Sequence, residues 1–189
     1  MKSGIKSITM DDLAIDLQMS KKTIYKYFKD KRELVQGCIK MRFDNHRIYI
    51  SQVQAQKLNV IDEMFEIGKF ITDELRELHP NIFHDLQRFY PEAWRSFFKF
   101  KNDFVLEVIC DNLKRGVESN YYRKSLNVEI TARLYAGMTD LIFEEERFPA
   151  DDFEKSAVYL EAFSYHLHGI GTPAGITYFE EKLNNDTFK

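Results

Sequence analysis

Between Thr9 and Lys31 the segment TMDDLAIDLQMSKKTIYKYFKDK sets a short oxygen-bearing side chain before each of three apolar-patterned runs. Thr9 precedes Met10, and Asp12 three residues on returns a carboxylate to unsatisfied backbone N–H groups. Leu13, Ala14 and Leu17 recur at helical spacing and face inward. Gln18 and Met19 fit a turn, and Ser20 caps a second helix. Ile24 and Phe28 are four apart, so they share one face of that helix and anchor it. Asp30 with Glu33 opens a third, long helix. The segment therefore predicts helix, tight turn, helix and the start of a third.

The second helix keeps its polar residues for other faces: Lys21, Lys22, Thr23, Tyr25, Lys26 and Tyr27. Cations and tyrosines on one side of a helix suit a surface lying on a phosphate backbone. Charge along the chain agrees. Through Ile50 there are eleven lysines and arginines against six acids, a formal +5, and the remainder carries 16 basic and 24 acidic residues, a formal −8. A basic head on an acidic body is the footprint of a DNA-binding unit fused to a sensor unit.

Gly4, Thr9, Leu13, Ala14, Met19-Ser20, Thr23-Ile24-Tyr25, Phe28, Lys31 and Leu34 match, in order and without a gap, the DNA-binding domain of the TetR (tetracycline repressor) family, which this segment resembles. The resemblance implies an all-α protein. A helix-turn-helix domain over residues 1–48 (first helix truncated) joins, through a long helix, a helical-bundle domain for ligand binding and dimerisation over 49–189. It also implies a regulator, more often a repressor, that binds a palindromic operator in double-stranded DNA as a homodimer and is released by a small apolar or aromatic effector. Family members place a whole helix before the glycine matching Gly4, whereas only Met1, Lys2 and Ser3 precede it here. The expectation is a truncated start, with Leu13, Leu17, Ile24 and Phe28 losing part of their cover. The alternative is an all-helical ligand-binding or interaction protein whose incomplete head no longer binds DNA.

On this resemblance the DNA-contacting set is Thr9, Ser20, Lys21, Lys22, Thr23, Tyr25, Lys26, Tyr27 and Lys31. Lys21 to Thr23 open the second helix and read bases in the major groove. Tyr25, Lys26, Tyr27 and Lys31 anchor phosphates. Thr9 adds its backbone N–H or hydroxyl at a phosphate beside its capping role.

Past the head the pattern stays helical. A long helix is predicted from Lys31 to Ala55. Asn59 caps the next, which His79-Pro80 ends. A short helix reaches Phe89, and Pro91 fits the first turn of a long one ending near Asn120. Further helices are predicted over 127–145 and, capped by Asp151 with Glu154, over 152–168, with a short last helix after Thr172. Phenylalanine and tryptophan at helical spacing are first of all core. The resemblance adds an apolar effector cavity, for which Phe65, Phe83, His84, Trp94, Phe97, Phe98, Tyr135 and Met138 are candidates, with Arg88 and Asp140 as further polar groups. Ile130, Leu134, Gly137, Met138 and Leu141 make one apolar stripe, and Ala157, Leu160, Phe163, Tyr165 and Leu167 spread round the next helix. The dimer interface is assigned to these two helices.

Enzymatic readings find little footing. No nucleophile elbow, P-loop or zinc-finger spacing appears. His166 and His168, two apart on a helix, point in different directions and cannot share a metal. The acid run Glu144 to Glu146 fits a solvated helix end. No metal or cofactor is expected. No run approaches the roughly 18 apolar residues of a membrane span, no signal-peptide stretch opens the chain, and Cys38 and Cys110 read as reduced, buried thiols of a cytoplasmic protein.

Overall fold

The computed structural model describes residues 4–79 and 81–185; among them the chain is helical apart from turns and one isolated backbone bridge, Tyr122 to Gly171. Three elements build the head: α1 (Met10–Asp16), α2 (Lys21–Ile24) and the start of α3 (Lys31–Ala55). Each begins where a side-chain oxygen meets an orphan amide. Thr9 Oγ1 accepts from Asp12 N at 3.1 Å while Thr9 N donates to Asp12 Oδ2 at 2.7 Å, a closed capping box. Ser20 Oγ accepts from Thr23 N at 3.1 Å, and Asp30 Oδ1 from Glu33 N at 3.0 Å. Gln18, in the turn between α1 and α2, takes the left-handed conformation at φ 52°.

The body follows as α4 (Val60–Glu77), α5 (Ile82–Phe89), α6 (Pro91–Phe100), α7 (Leu106–Glu118), α8 (Val128–Leu141), α9 (Lys155–Ile170) and α10 (Pro173–Asn185). Asn59 Oδ1 caps α4 by accepting from Ile61 N and Asp62 N, both at 2.9 Å. The principal core gathers one face of each of α4, α7, α8, α9 and α10, with Ile61, Leu113, Ala132, Phe163 and Phe179 at its centre. A buried polar lattice ties α4 to α7: Glu63 Oε1 accepts from Asn112 Nδ2 at 2.9 Å and from Arg115 at 2.6 Å, and the Tyr122 hydroxyl donates to Asn112 Oδ1 at 3.0 Å. Every charged member of that lattice has a partner, which is the condition for tolerating charge in a core.

Four expectations are corrected. The helix predicted from Pro91 to Asn120 is interrupted by a π-helical turn, Lys101–Val105, between α6 and α7. The helix predicted over 127–145 stops at Leu141, where Ile142 turns into the core and Phe143 packs on Phe83. The next helix starts at Lys155 rather than 152, with no side-chain cap from Asp151 or Glu154. The last helix is not short: α10 covers Pro173–Asn185, held by the Thr172 hydroxyl accepting from Gly175 N at 3.1 Å. α3 spans Lys31–Ala55 as expected and α4 ends at Glu77. Pro80, assigned to that ending, and residues 1–3 lie outside the described residues. The thiols are free, but Cys38 is exposed and Cys110 half-buried, so neither is the buried thiol expected. Among the described residues no helix is long and apolar enough to cross a membrane.

Candidate functional site

The head presents one polar surface. Ile24 is buried beneath α2, and Phe28 lies against α3 at Gly37, where an added Cβ would stand 3.1 Å from the Phe28 ring. The second helix ends at Ile24, short of the Phe28 expected on it, and with these two residues turned inward α2 and the turn after it leave Lys22, Tyr25, Lys26 and Tyr27 outward, with Tyr27 74% exposed. Among the described residues the side chains of Lys22, Lys26 and Tyr27 make no hydrogen bond or ion pair, so their polar atoms are available to a partner. Lys21 is also at the surface but pairs with Asp11 at 2.8 Å, which holds its pKa above the ordinary lysine value. Such an exposed pair is worth little and exchanges readily for another anion.

Four other predicted contacts are already engaged inside the protein. The Thr9 N–H and hydroxyl both serve Asp12, whose carboxyl they hold below its usual range. The Ser20 and Thr23 hydroxyls bond each other at 2.8 Å. Lys31 turns inward: its ammonium donates to the carbonyls of Ile5 and Ile8, and to that of Lys6 at 3.2 Å. Three acceptors saturate the three donors of a lysine. Lys31 therefore braces the segment before α1, a role that the spacing alone does not reveal.

The head is also fastened to the body. Lys6 N donates to Asp85 Oδ2 on α5 at 2.8 Å, and the Lys6 ammonium sits 4.7 Å from the Phe89 ring centre. Ile5 and Val35 pack with Leu86, Tyr90, Ala93 and Trp94 in one apolar cluster. Two open clefts flank this junction. One, of about 580 Å³, runs along α3 beside α6 past Phe28, Lys40, Phe43, Arg47 and Phe100. The other, of about 600 Å³, lies between Gly4, Lys6, His84 and Arg88.

The eight effector candidates separate. Phe83, Trp94, Phe97 and Phe98 come together: Phe97 lies 6.3 Å from Phe83, 5.4 Å from Trp94 and 5.6 Å from Phe98 between ring centres. Phe143, which sequence reasoning missed inside a helix predicted to continue, closes the group at 4.0 Å from Phe83 and 5.4 Å from Phe97. All five rings are half-buried, so they form a partly open aromatic cluster, here termed the crevice, rather than a sealed core. Phe65 belongs elsewhere, packed on Phe163 and Phe179 in the principal core. Tyr135 is buried there too, stacked on His166 at 3.9 Å. His84 is on the second cleft, beside Asp85, and Met138 is half-buried on α8.

Behind the crevice stands a charged pair. Lys101 N–H donates to the Phe97 carbonyl, so Lys101 follows Phe97 by one turn on the same face. Its buried ammonium reaches the Ala136 carbonyl and Asp140 Oδ1 on α8. Asp140 in turn precedes Phe143 by three residues. Among the described residues no group of histidines, cysteines and carboxylates is arranged to hold a metal.

Comparison with known proteins places this arrangement. The model of the family described as bacterial regulatory proteins, tetR family, matches residues 1–38. The uncharacterized HTH-type transcriptional regulator YvaF of Bacillus subtilis (strain 168) is 23% identical over 146 residues, covering 74% of this chain and 73% of its own. A transcriptional regulator from Cytophaga hutchinsonii ATCC 33406 shares the fold at TM-score 0.73 and 18% identity, over 90% of this chain and 92% of that one. SmeT, the repressor of the Stenotrophomonas maltophilia multidrug efflux pump SmeDEF, does so at TM-score 0.66 and 11% identity, over 90% and 84%. The chain thus carries a tetR-family DNA-binding head, matched over residues 1–38, on a body that shares the helical fold of these regulators.

Proposed function

We propose that the chain acts as a homodimeric repressor that reads a palindromic operator and is released by a small apolar or aromatic effector bound at the crevice of Phe83, Trp94, Phe97, Phe98 and Phe143. The head would extend to residue 48 and the body from 49, with α3 running unbroken across the boundary. Lys22 and, once parted from Asp11, Lys21 would reach base edges with Thr23, while Tyr25, Lys26 and Tyr27 hold phosphates. The observation that carries this reading is the outward surface of α2 and the turn after it, where the side chains of Lys22, Lys26 and Tyr27 face solvent without internal partners. SmeT is a repressor, and repression is proposed for this chain by that likeness.

The route from effector to DNA runs through Trp94. That ring belongs to the crevice and also to the cluster of Ile5, Val35 and Tyr90 that seats the head. A ligand that displaces the Trp94 ring disturbs the packing of α6 on Val35 of α3, the helix that follows directly on the recognition elements. Release then requires only that the effector bind the displaced arrangement more tightly than the DNA-bound one.

The test is fluorescence anisotropy with the DNA upstream of the chain's own gene at several salt concentrations. Specific retention is expected; Lys26→Ala should flatten the slope of log affinity against log salt by about 0.9, the value for one phosphate left without its lysine, and Lys22→Ala should change the preference among sequences instead. An unchanged slope with unchanged affinity would overturn the assignment of α2.

A further inference from the structure

We propose that the effector is an anion, a carboxylate carried on an apolar or aromatic body, and that the Lys101 ammonium receives its charged end. This rests on the crevice being the effector site. Lys101 is 6% exposed and follows Phe97 by one turn, while its partner Asp140 precedes Phe143 by three residues. A ligand whose apolar body separates Phe97 from Phe143 therefore brings its far end to the pair.

Three features favour ligand recognition over a plain strut. Two of the three ammonium donors go to Ala136 and Asp140, and among the described residues the third has no protein acceptor. Asp140 keeps 35% of its side chain exposed, so it can swing to water when another carboxylate takes its place, and no charge is stranded in the exchange. The lysine also opens the π-helical turn, a local widening that recurs at functional positions and replaces the plain α-helix a strut would need. Lys155, the other buried lysine among the described residues, makes the contrast: it closes only its own loop, on the Phe148 carbonyl and Glu145. Burial lowers the Lys101 pKa, and the Asp140 carboxylate beside it offsets that in part.

Trp94 is the sole tryptophan, which makes intrinsic fluorescence a reporter of the crevice. Titration with 1-naphthoate and with its neutral isostere 1-naphthamide should show the carboxylate binding about tenfold tighter or better, as for a charge-assisted hydrogen bond. Lys101→Met should abolish that preference and retain amide binding. Asp140→Asn, which removes the competing anion, should increase it, and this variant decides the matter if Lys101→Met loses its helical circular dichroism. Equal binding of the two probes, or a preference that survives Lys101→Met, overturns the anion and leaves the crevice standing. No Trp94 response to either probe overturns both.

Discussion

His166 shows how one buried ring can set the acid limit of this fold. It is 6% exposed on the inner face of α9, its plane tilted only 11° from the Tyr135 ring it stacks on. Burial pulls its pKa down from 6.5 to about 4. The native state thus holds the ring neutral where an unfolded chain would protonate it. Stability from this site is fully present above pH 6.5 and is lost as pH falls toward about 4, by roughly 3 kcal/mol in all. Urea unfolding at pH 7.5, 5.5 and 4.5 should show a falling midpoint, and His166→Phe, which keeps the aromatic volume, should reduce that fall. An identical pH profile in the variant would remove His166 as its cause. None of this is legible in sequence. His166 and Tyr135 occupy ordinary helical positions, and only the packing of α8 on α9 makes them neighbours. Phe65 and Phe83 teach the same lesson, since similar spacing placed both in the expected pocket. The helices opposite them decide that the first is core and the second lines the crevice.

At the scale of elements, the caps of α1, α2, α3 and α4 were legible because each depends on residues two or three apart. The π-helical turn was not, because what accompanies it is the reach of Lys101 to Ala136 and Asp140, on a helix some forty residues away in the chain. Lys31 lies between these cases. Its position marks it as a candidate phosphate anchor, whereas its first-turn place on α3 delivers the ammonium to the carbonyls of residues 5, 6 and 8. The two roles predict different measurements. As a brace, Lys31→Met should speed amide hydrogen exchange through α1 and lower the melting temperature by several degrees, consistent with losing one or two charge-assisted bonds. DNA affinity should then drop with an unaltered salt slope. A slope flattened by about 0.9, with unchanged exchange in α1, would instead return Lys31 to the phosphates.

For the whole molecule, the outstanding question is what covers α8 and α9. Ile130 and Leu134 are 56% and 64% exposed, and with Gly137 they follow the i, i+4, i+7 spacing of one helical face. A Cβ at Gly137 would meet nothing within 4 Å, so a second backbone can approach closely there. Tyr165 on α9 is 74% exposed, whereas Phe163 and Leu167 of the same helix are spent in the core. The sequence stripe therefore divides: Ile130, Leu134, Gly137, Ala157 and Tyr165 face outward, and the remaining apolar positions serve the fold. A two-fold pairing through α8 and α9 would bury this face and set two basic heads at a fixed spacing, the geometry a palindrome requires. Leu134→Glu places a charge at the middle of that face while leaving the core packing intact. Light scattering should then report the monomer mass of 22.5 kDa in place of twice that value. Full-operator affinity should fall by about a hundredfold or more, because the second head no longer benefits from tethering to the first. A Leu134→Glu protein that stays dimeric and binds the operator unchanged would move the interface off α8.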